Sequence, residues 1–421
     1  MQLNEIVDRA LYFWQNALSV KRPSNRNLLI RRDCIDDRLW FFPSKNRSLD
    51  TVCEHACHPS AKCHTMQVPE NFLQIKVPIL GFISFCPNRL DENYSMSKVL
   101  LYTAIHEMGH ALGFNRNLYA FYRDEHGRPR TQRDPATGMP STPRDEFGIF
   151  APSNDVVKEV TRTWKSTKVS LTRKIGAFVL PNVLKFARSH FNCPSLDGVD
   201  LENEGSSATH LTHFEKRVVH DELMSGSVEL PSIVSGLTLS VFQDSGWYDV
   251  NHKMDGNWKW GKNLGCEFIT KSCSEYMAIR RSRKEPTGPW CDYFDLTRAQ
   301  CVSYNNAYNY CNVNLYQQRI EPDKQHVTNH QEREFLAGDS KLHDGCVLFQ
   351  PVLNISGTGQ TSVCTHEEDN QRLAVNPLIQ QFGPSSLCVN HGNNKRWVLN
   401  TNRGIQSTGD MGASCHVVSI Y

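Results

Sequence analysis

The sequence predicts an α+β protein with a Cys-rich, mostly-β C-terminal domain, and three observations carry that reading. Apolar residues recur at helical spacing in two early stretches, runs of β-branched and aromatic residues lie between them, and from Cys266 the composition turns to Cys, Asn, Tyr and Gly with short apolar runs. The first helix is read from Leu3, Ile6, Val7, Ala10, Leu11, Trp14 and Leu18, one face of an amphipathic segment that belongs to a folded domain. Leu39 to Phe42 and Gln74 to Cys86 read as strands. A second helix runs from about Ser95 to Gly113, with Met96, Val99, Leu100, Thr103, Ala104, Met108, Ala111 and Leu112 as its core stripe and Gly113 as its stop. Asp124 to Pro143 mixes Pro and Gly with charges and predicts an exposed loop. Val156 to Arg188 alternates charged and apolar residues at mostly helical spacing, which predicts helix. Beyond Cys266 a separate, disulfide-stapled domain of short strands and turns is expected, and no internal repeat is evident.

A chain of 421 residues is long enough for two or three packed domains. Its 46 Lys+Arg against 44 Asp+Glu leave a net charge of +2, which gives no electrostatic reason to expect nucleic acid or an anionic membrane as the main partner. No run approaches the roughly 20 apolar residues of a spanning helix, so no transmembrane segment is expected in this chain, and Ala413 to Tyr421 is too short and polar for an anchor-attachment tail. Fifteen cysteines, five before residue 90, one at Cys193 and nine from Cys266, together with N-x-S sequons at Asn46, Asn93 and Asn354, point to an oxidising compartment: a disulfide-bonded, glycosylated protein, secreted or at the cell surface. Because fifteen is odd, at least one thiol lacks an intrachain partner. Glu5, Asp8 and Arg9 interrupt the N-terminus too early for a signal peptide, so the chain is expected to start inside a longer precursor, with a cytoplasmic form as the other reading.

The chemistry centres on His106-Glu107-Met108-Gly109-His110, inside the second predicted helix. Residues four apart lie one above the other on a helix, so both imidazoles can face one ion while Glu107 stands close by without being a ligand. A zinc ion held by neutral nitrogen ligands lowers the pKa of its bound water to about 7 and polarises a scissile carbonyl, and a neighbouring carboxylate takes the water's proton. A third protein ligand is required. The compact metzincin pattern would put a histidine where Arg116 stands, so it comes from farther away, with His126, His190, His210, His213 and His220 as candidates. Met224, in Glu222-Leu223-Met224-Ser225-Gly226, is either the floor of a metal site or an ordinary core methionine.

His213-Phe214-Glu215-Lys216-Arg217 and the Met224 segment resemble the third-ligand and Met-turn region of the leishmanolysin family of zinc endopeptidases. Further stretches are similar to members of that family: Tyr12-Phe13-Trp14 through Cys34, Phe121 to Glu125, His190 to Pro194, Leu201 to Gly205, Asp244 to Tyr248 and Trp260 to Phe268. The resemblance covers most of residues 1 to 270 and is thinner afterwards. It implies a metzincin-type catalytic domain holding one zinc on His106, His110 and His213, with His213 preferred over His210. It also implies Glu107 as general base, Met224 beneath the metal, and polypeptide substrates lying extended along an edge strand, held by backbone hydrogen bonds. The implied layout is an N-terminal catalytic subdomain, 1–115, with the helix motif; an inserted subdomain, 116–205; a third-ligand and Met-turn segment, 206–265; and the Cys-rich domain, 266–421. The chain departs from the family between Val68 and Asn88, which is shorter than in relatives and lies where substrate should bind. A second function class is therefore carried beside the metalloendopeptidase: an adhesion or binding protein that keeps a metzincin-like zinc site without turnover.

Overall fold

The computed structural model describes residues 3–21, 51–52, 66–67, 94–205, 210–229, 232–292, 299–328, 330–352, 361–372, 380–391, 397–401, 404–408 and 412–417. The expected strands at 39–42 and 74–86, the 68–88 departure, the five cysteines before residue 90 and the three sequon asparagines lie outside these residues. The chain divides into two compact units, one formed by 1–160 and 174–258, the other by 161–173 and 259–421. No helix of the described residues is long and apolar enough to cross a membrane.

In the first unit, helix α1 (Leu3–Ala17) buries Ile6, Ala10 and Trp14 of the expected face together with Ala17, while Leu11 of that face is exposed. Strand β1 (Leu18–Val20) follows; the short strands β2 (Thr51–Val52) and β3 (Met66–Gln67) pair with each other. Helix α2 (Tyr94–Leu112) carries the histidine motif, and Trp14 ties α1 to it by donating its indole N–H to the Ile105 carbonyl at 2.9 Å. Gly113 ends α2 at φ +152°, where a side chain would be strained and would meet Trp247 at 3.2 Å. The chain then folds back so that the Phe114 N–H reaches the Gly109 carbonyl, and the short helix α3 (Arg116–Tyr119) begins under an Asn115 cap.

Residues 123–150 are a threefold repeat of turns, which corrects the expectation of no internal repeat; the exposed loop expected at Asp124 to Pro143 holds the first two of them. Arg123-Asp124, Arg133-Asp134 and Arg144-Asp145 each open a turn that a glycine closes at positive φ: Gly127, Gly138 and Gly148, at +80°, +66° and +77°. In each turn the aspartate Oδ1 accepts the backbone N–H two residues on and a second one three or four residues on. A bridge completes each rung: Arg123 with Pro129, Arg133 with Pro140, Arg144 with Phe150. The signal was present as Arg-Asp pairs ten and eleven residues apart. It is masked by an extra residue in the middle turn, and its period is shorter than that of the familiar repeat folds.

The next segment also differs from its reading. Val157–Lys165 (β4) and Ser170–Phe178 (β5) are strands, and with β6 (Val199–Asp200) they form a sheet in the order β4-β5-β6. Burial alternates at Val160, Arg162 and Trp164, the period of two that a strand requires; the charge of Arg162 on that buried face hides the alternation in the sequence. Helix begins only at α4 (Pro181–Phe191). Its N-terminus lacks a cap of its own, and the buried Asp244 carboxylate accepts the Asn182 and Val183 N–H groups in its place. Asp244 ends α6 (Gly236–Asp244), which follows the short α5 (Lys216–Val219) and is buried on every side against α4 and the core. Strand β7 (Tyr248–Val250) pairs with β1 and returns the chain to α1.

The second unit opens on two helices, α7 (Cys266–Thr270) and α8 (Cys273–Ser282), an addition to the expected strands and turns. Short strands follow: β8 (Trp290–Cys291), β9 (Gln300–Cys301), β10 (Tyr308–Cys311), β11 (Val313–Leu315), β12 (Leu336–Gly338), β13 (Val347–Pro351), β14 (Ser386–Asn390), β15 (Trp397–Thr401), β16 (Gly404–Thr408) and β17 (Ala413–Val417). They form one four-stranded sheet, β8-β13-β10-β9, and three pairs, β11-β12, β14-β17 and β15-β16. Cystines Cys273–Cys346, Cys291–Cys311, Cys301–Cys388 and Cys364–Cys415 tie these elements together, and every described cysteine is disulfide-bonded. Half-cystines are core residues here: Cys291 and Cys311 pack with Val313, Val327, Leu336, Val347 and Phe349, and Cys364 and Cys415 with Tyr308 and Phe382.

Candidate metal centre

Three imidazoles converge in the first unit. His106 and His110, one turn apart on α2, have ring centroids 4.6 Å apart, and His213 approaches both, its Nε2 lying 3.1 Å from each of their Nε2 atoms. His106 and His213 are buried and His110 is half-buried. The remaining histidines weighed for the third position stand elsewhere. His126 is exposed beside Glu125, His190 is stacked on Trp258 at 4.2 Å, and neither exposed His210 nor buried His220 belongs to the cluster.

The outer nitrogens fix the state of the rings. His106 Nδ1 lies 2.6 Å from the Leu223 carbonyl and His110 Nδ1 lies 2.7 Å from the Phe114 carbonyl. A carbonyl only accepts, so both Nδ1 atoms carry hydrogen, and in the neutral rings both Nε2 atoms present lone pairs to the centre. The rings are held neutral: burial, then the charges of its two neighbours, hold His106 well below the ordinary histidine pKa of 6.5, and burial lowers His110 as well. Lone pairs gathered this closely repel unless a cation lies among them, and three imidazole nitrogens are a donor set suited to zinc. The residues present therefore fit a zinc ion. Glu107 stands exposed on the same helix, and its charge acts on His110 against the effect of burial.

Local folding explains each placement. The stop at Gly113 returns Phe114 to the end of α2, which puts the Phe114 carbonyl against His110. His213 lies on an extended segment in which Phe214 bridges Leu201 on one side and Ser225 on the other. Leu211 precedes it at φ +60°, a costly conformation for leucine, and is held by bonds from Leu211 N–H to the Glu202 carbonyl and from Glu202 N–H to the His213 carbonyl. The intervening Thr212 is buried, with Oγ1 2.9 Å from His213 Nδ1.

Met224 is fully buried, and its position explains the glycine of the motif. A Cβ on Gly109 would lie 2.9 Å from Met224 Sδ and 3.3 Å from the Trp14 ring, so only glycine lets the methionine seat against α2 between the two histidines. The turn around it hangs on Glu222, whose buried carboxylate accepts the Met224 N–H at 2.6 Å and both the N–H and hydroxyl of Ser235. Buried Lys216 spans the same turn, donating to the His220 and Ser227 carbonyls and pairing with Glu229 at 2.8 Å. Glu222, Lys216 and Thr212 were not singled out from the sequence: charged residues beside a ligand read as solvated surface, and a threonine next to a histidine carries no signal of its own. The carbonyls of Phe114 and Leu223 have no sequence signature at all.

Comparison with known proteins identifies the family. The family model described as leishmanolysin, peptidase M8, matches residues 150–414, a range that contains His213 and Met224. A leishmanolysin-like peptidase of Drosophila pseudoobscura pseudoobscura is 32% identical over 326 residues, 75% of this chain and 47% of that protein. One from Caenorhabditis elegans is 26% identical over 453 residues, 91% of this chain and 67% of that protein. A leishmanolysin homolog of Crithidia fasciculata is 40% identical over 93 residues, 22% of this chain and 14% of that protein. The chain thus spans about half the length of the fly protein. By this match and the fly relative's similarity, the chain belongs to the leishmanolysin family.

Proposed function

We propose that the chain is a zinc-dependent metalloendopeptidase that hydrolyses internal bonds of polypeptides, with His106, His110 and His213 as zinc ligands, Glu107 as general base and Met224 beneath the metal. The observation that carries this reading is the convergence of three imidazole nitrogens on one point beside an exposed carboxylate. Zinc bound there supplies a Lewis acid and a water of lowered pKa. The chain's own groups do the rest. The carbonyls of Leu223 and Phe114 hold two of the rings in the ligating tautomer, Met224 packed on Gly109 keeps α2 and the third-ligand segment in contact, and Glu107 takes a proton from the attacking water and hands it to the leaving amine. The metzincin-type layout, with subdomains 1–115, 116–205, 206–265 and 266–421, belongs to the same proposal. The cystines support an oxidising location, secreted or at the cell surface.

The test is Glu107→Ala assayed on a quenched, unfolded protein substrate. Loss of the general base should lower turnover by about 10²–10⁴-fold with zinc still bound in a one-to-one ratio. A variant that also loses its zinc would make Glu107 a ligand. A wild-type chain that binds zinc and cleaves nothing would replace the enzyme by the adhesion or binding reading.

A further inference from the structure

Three consecutive carbonyls at the end of α2 each receive a side-chain donor. The Leu112 carbonyl accepts the Tyr248 hydroxyl at 2.8 Å, the Gly113 carbonyl accepts the Tyr122 hydroxyl at 3.0 Å, and the Phe114 carbonyl accepts from His110 Nδ1 at 2.7 Å. The middle carbonyl has a second partner, the Asn115 N–H at 2.8 Å. That N–H and the Phe114 carbonyl are the two ends of one planar peptide group. A line of contacts therefore runs from the Tyr122 hydroxyl through the Gly113 carbonyl and the 114–115 peptide to the His110 ring. Its weak point is the bond from Asn115 to Gly113, which closes a three-residue turn and is bent, while Gly113 gives the chain room to turn but no stiffness.

The surroundings set where this turn lies. The Phe114 ring is buried among Tyr119, Phe178 and Phe214, its N–H bonds the Gly109 carbonyl, and Asn115 caps α3. Tyr122 acts on the tilt of the peptide within it. Its ring is fully buried, edge-on to Tyr119 at 5.6 Å and to Trp247 at 5.3 Å, and Trp247 itself lies against Gly113. Burial raises its pKa well above the ordinary 10, so the hydroxyl keeps its hydrogen and donates.

We propose that Tyr122 is a positioning residue of the metal centre: its hydroxyl holds the Gly113 carbonyl and, through the 114–115 peptide, the acceptor that keeps His110 ligating through Nε2. The inference rests on the reading of the triad as a zinc site. Tyr248 supplies the contrast, because it makes the same kind of bond one residue earlier, to a carbonyl that the Asn115 N–H does not bond.

The experiment measures zinc affinity of the full chain by competition with a chromophoric chelator, for wild type, Tyr122→Phe and Tyr248→Phe, with metal-free melting to confirm that each folds. Both variants lose one hydroxyl from one carbonyl at the end of the same helix. Tyr122→Phe should bind zinc about 10-fold more weakly, the lower end of the cost of removing an outer partner of a ligating histidine, and Tyr248→Phe should bind as wild type does. Affinity that is unchanged in Tyr122→Phe, or lowered alike in both variants, overturns the proposal. If Tyr122→Phe does not fold, the wild type carries the test: zinc should slow hydrogen exchange of the Asn115 amide, and an unchanged rate overturns the proposal. A wild-type chain that takes up no zinc overturns the triad reading itself, an outcome distinct from variants that bind equally well.

Discussion

Gly109 shows how one missing side chain sets the geometry of a site. In a helix interior glycine costs about 1 kcal/mol against alanine, so Gly109→Ala should stabilise α2 if propensity alone decided. The added methyl, however, meets the buried Met224 sulfur at 2.9 Å and the Trp14 ring at 3.3 Å, and overpacking of a filled core costs about 1–3 kcal/mol. Overpacking should win: denaturant unfolding of Gly109→Ala is expected to show a net loss of about 1 kcal/mol, with weaker zinc binding, and a more stable variant would contradict the packing account. The same scale separates the two neighbouring histidines. His213→Ala should abolish stoichiometric zinc and His210→Ala should leave it, measured by metal content after dialysis; the reverse would move the third position to His210. Residues 106, 107 and 110 were legible because their spacing is short and helical. The third position was open among five histidines until the resemblance to a family chose one, because no periodicity links residues more than a hundred apart.

At the scale of elements, the turn that seats Met224 is built on a carboxyl in an unusual state. Burial pushes Glu222 from the ordinary 4.5 up to about 7, against the bonds from Ser235 and Met224 that favour its charged form. The folded protein therefore keeps a proton there that the unfolded chain releases first. The stability this group contributes is complete below pH 4.5 and is lost as pH rises through about 7, a change of about 3 kcal/mol. Denaturant unfolding of metal-free wild type and Glu222→Gln should show the gap between them shifting in favour of the glutamine variant across that window, and a constant gap would place the carboxyl's titration elsewhere. The helices α1 and α2 were legible from their periodicity. The hairpin of β4 and β5 was not, because its buried face itself carries charge, at Arg162 and Arg173, which breaks the alternation of apolar and polar residues. The repeat of turns in 123–150 is not legible because each turn is stabilised by one aspartate and one glycine, too sparse a pattern to stand out singly.

At the scale of the molecule, both units bury helices and aromatic rings, and in the second unit cystines are core residues beside them. Replacing Cys364 and Cys415 by alanine should cost about 2–5 kcal/mol and lower a calorimetric transition of the second unit, leaving zinc binding by the first in place. A melting profile identical to wild type would deny the cystine that role. The Cys-rich character of this half was legible from composition alone, while its pairings required the structure. The triad itself has a reach that its size conceals. His110 and His213 are 103 residues apart along the chain, so an ion shared between them is also a cross-link that closes a long loop of polypeptide. Metal occupancy and folding then draw on the same free energy: each tenfold excess of free ion over its dissociation constant adds about 1.4 kcal/mol to the folded state. On the proposed zinc reading, a fall in metal supply would therefore weaken the hold between the ligand segments as well as remove the chemistry.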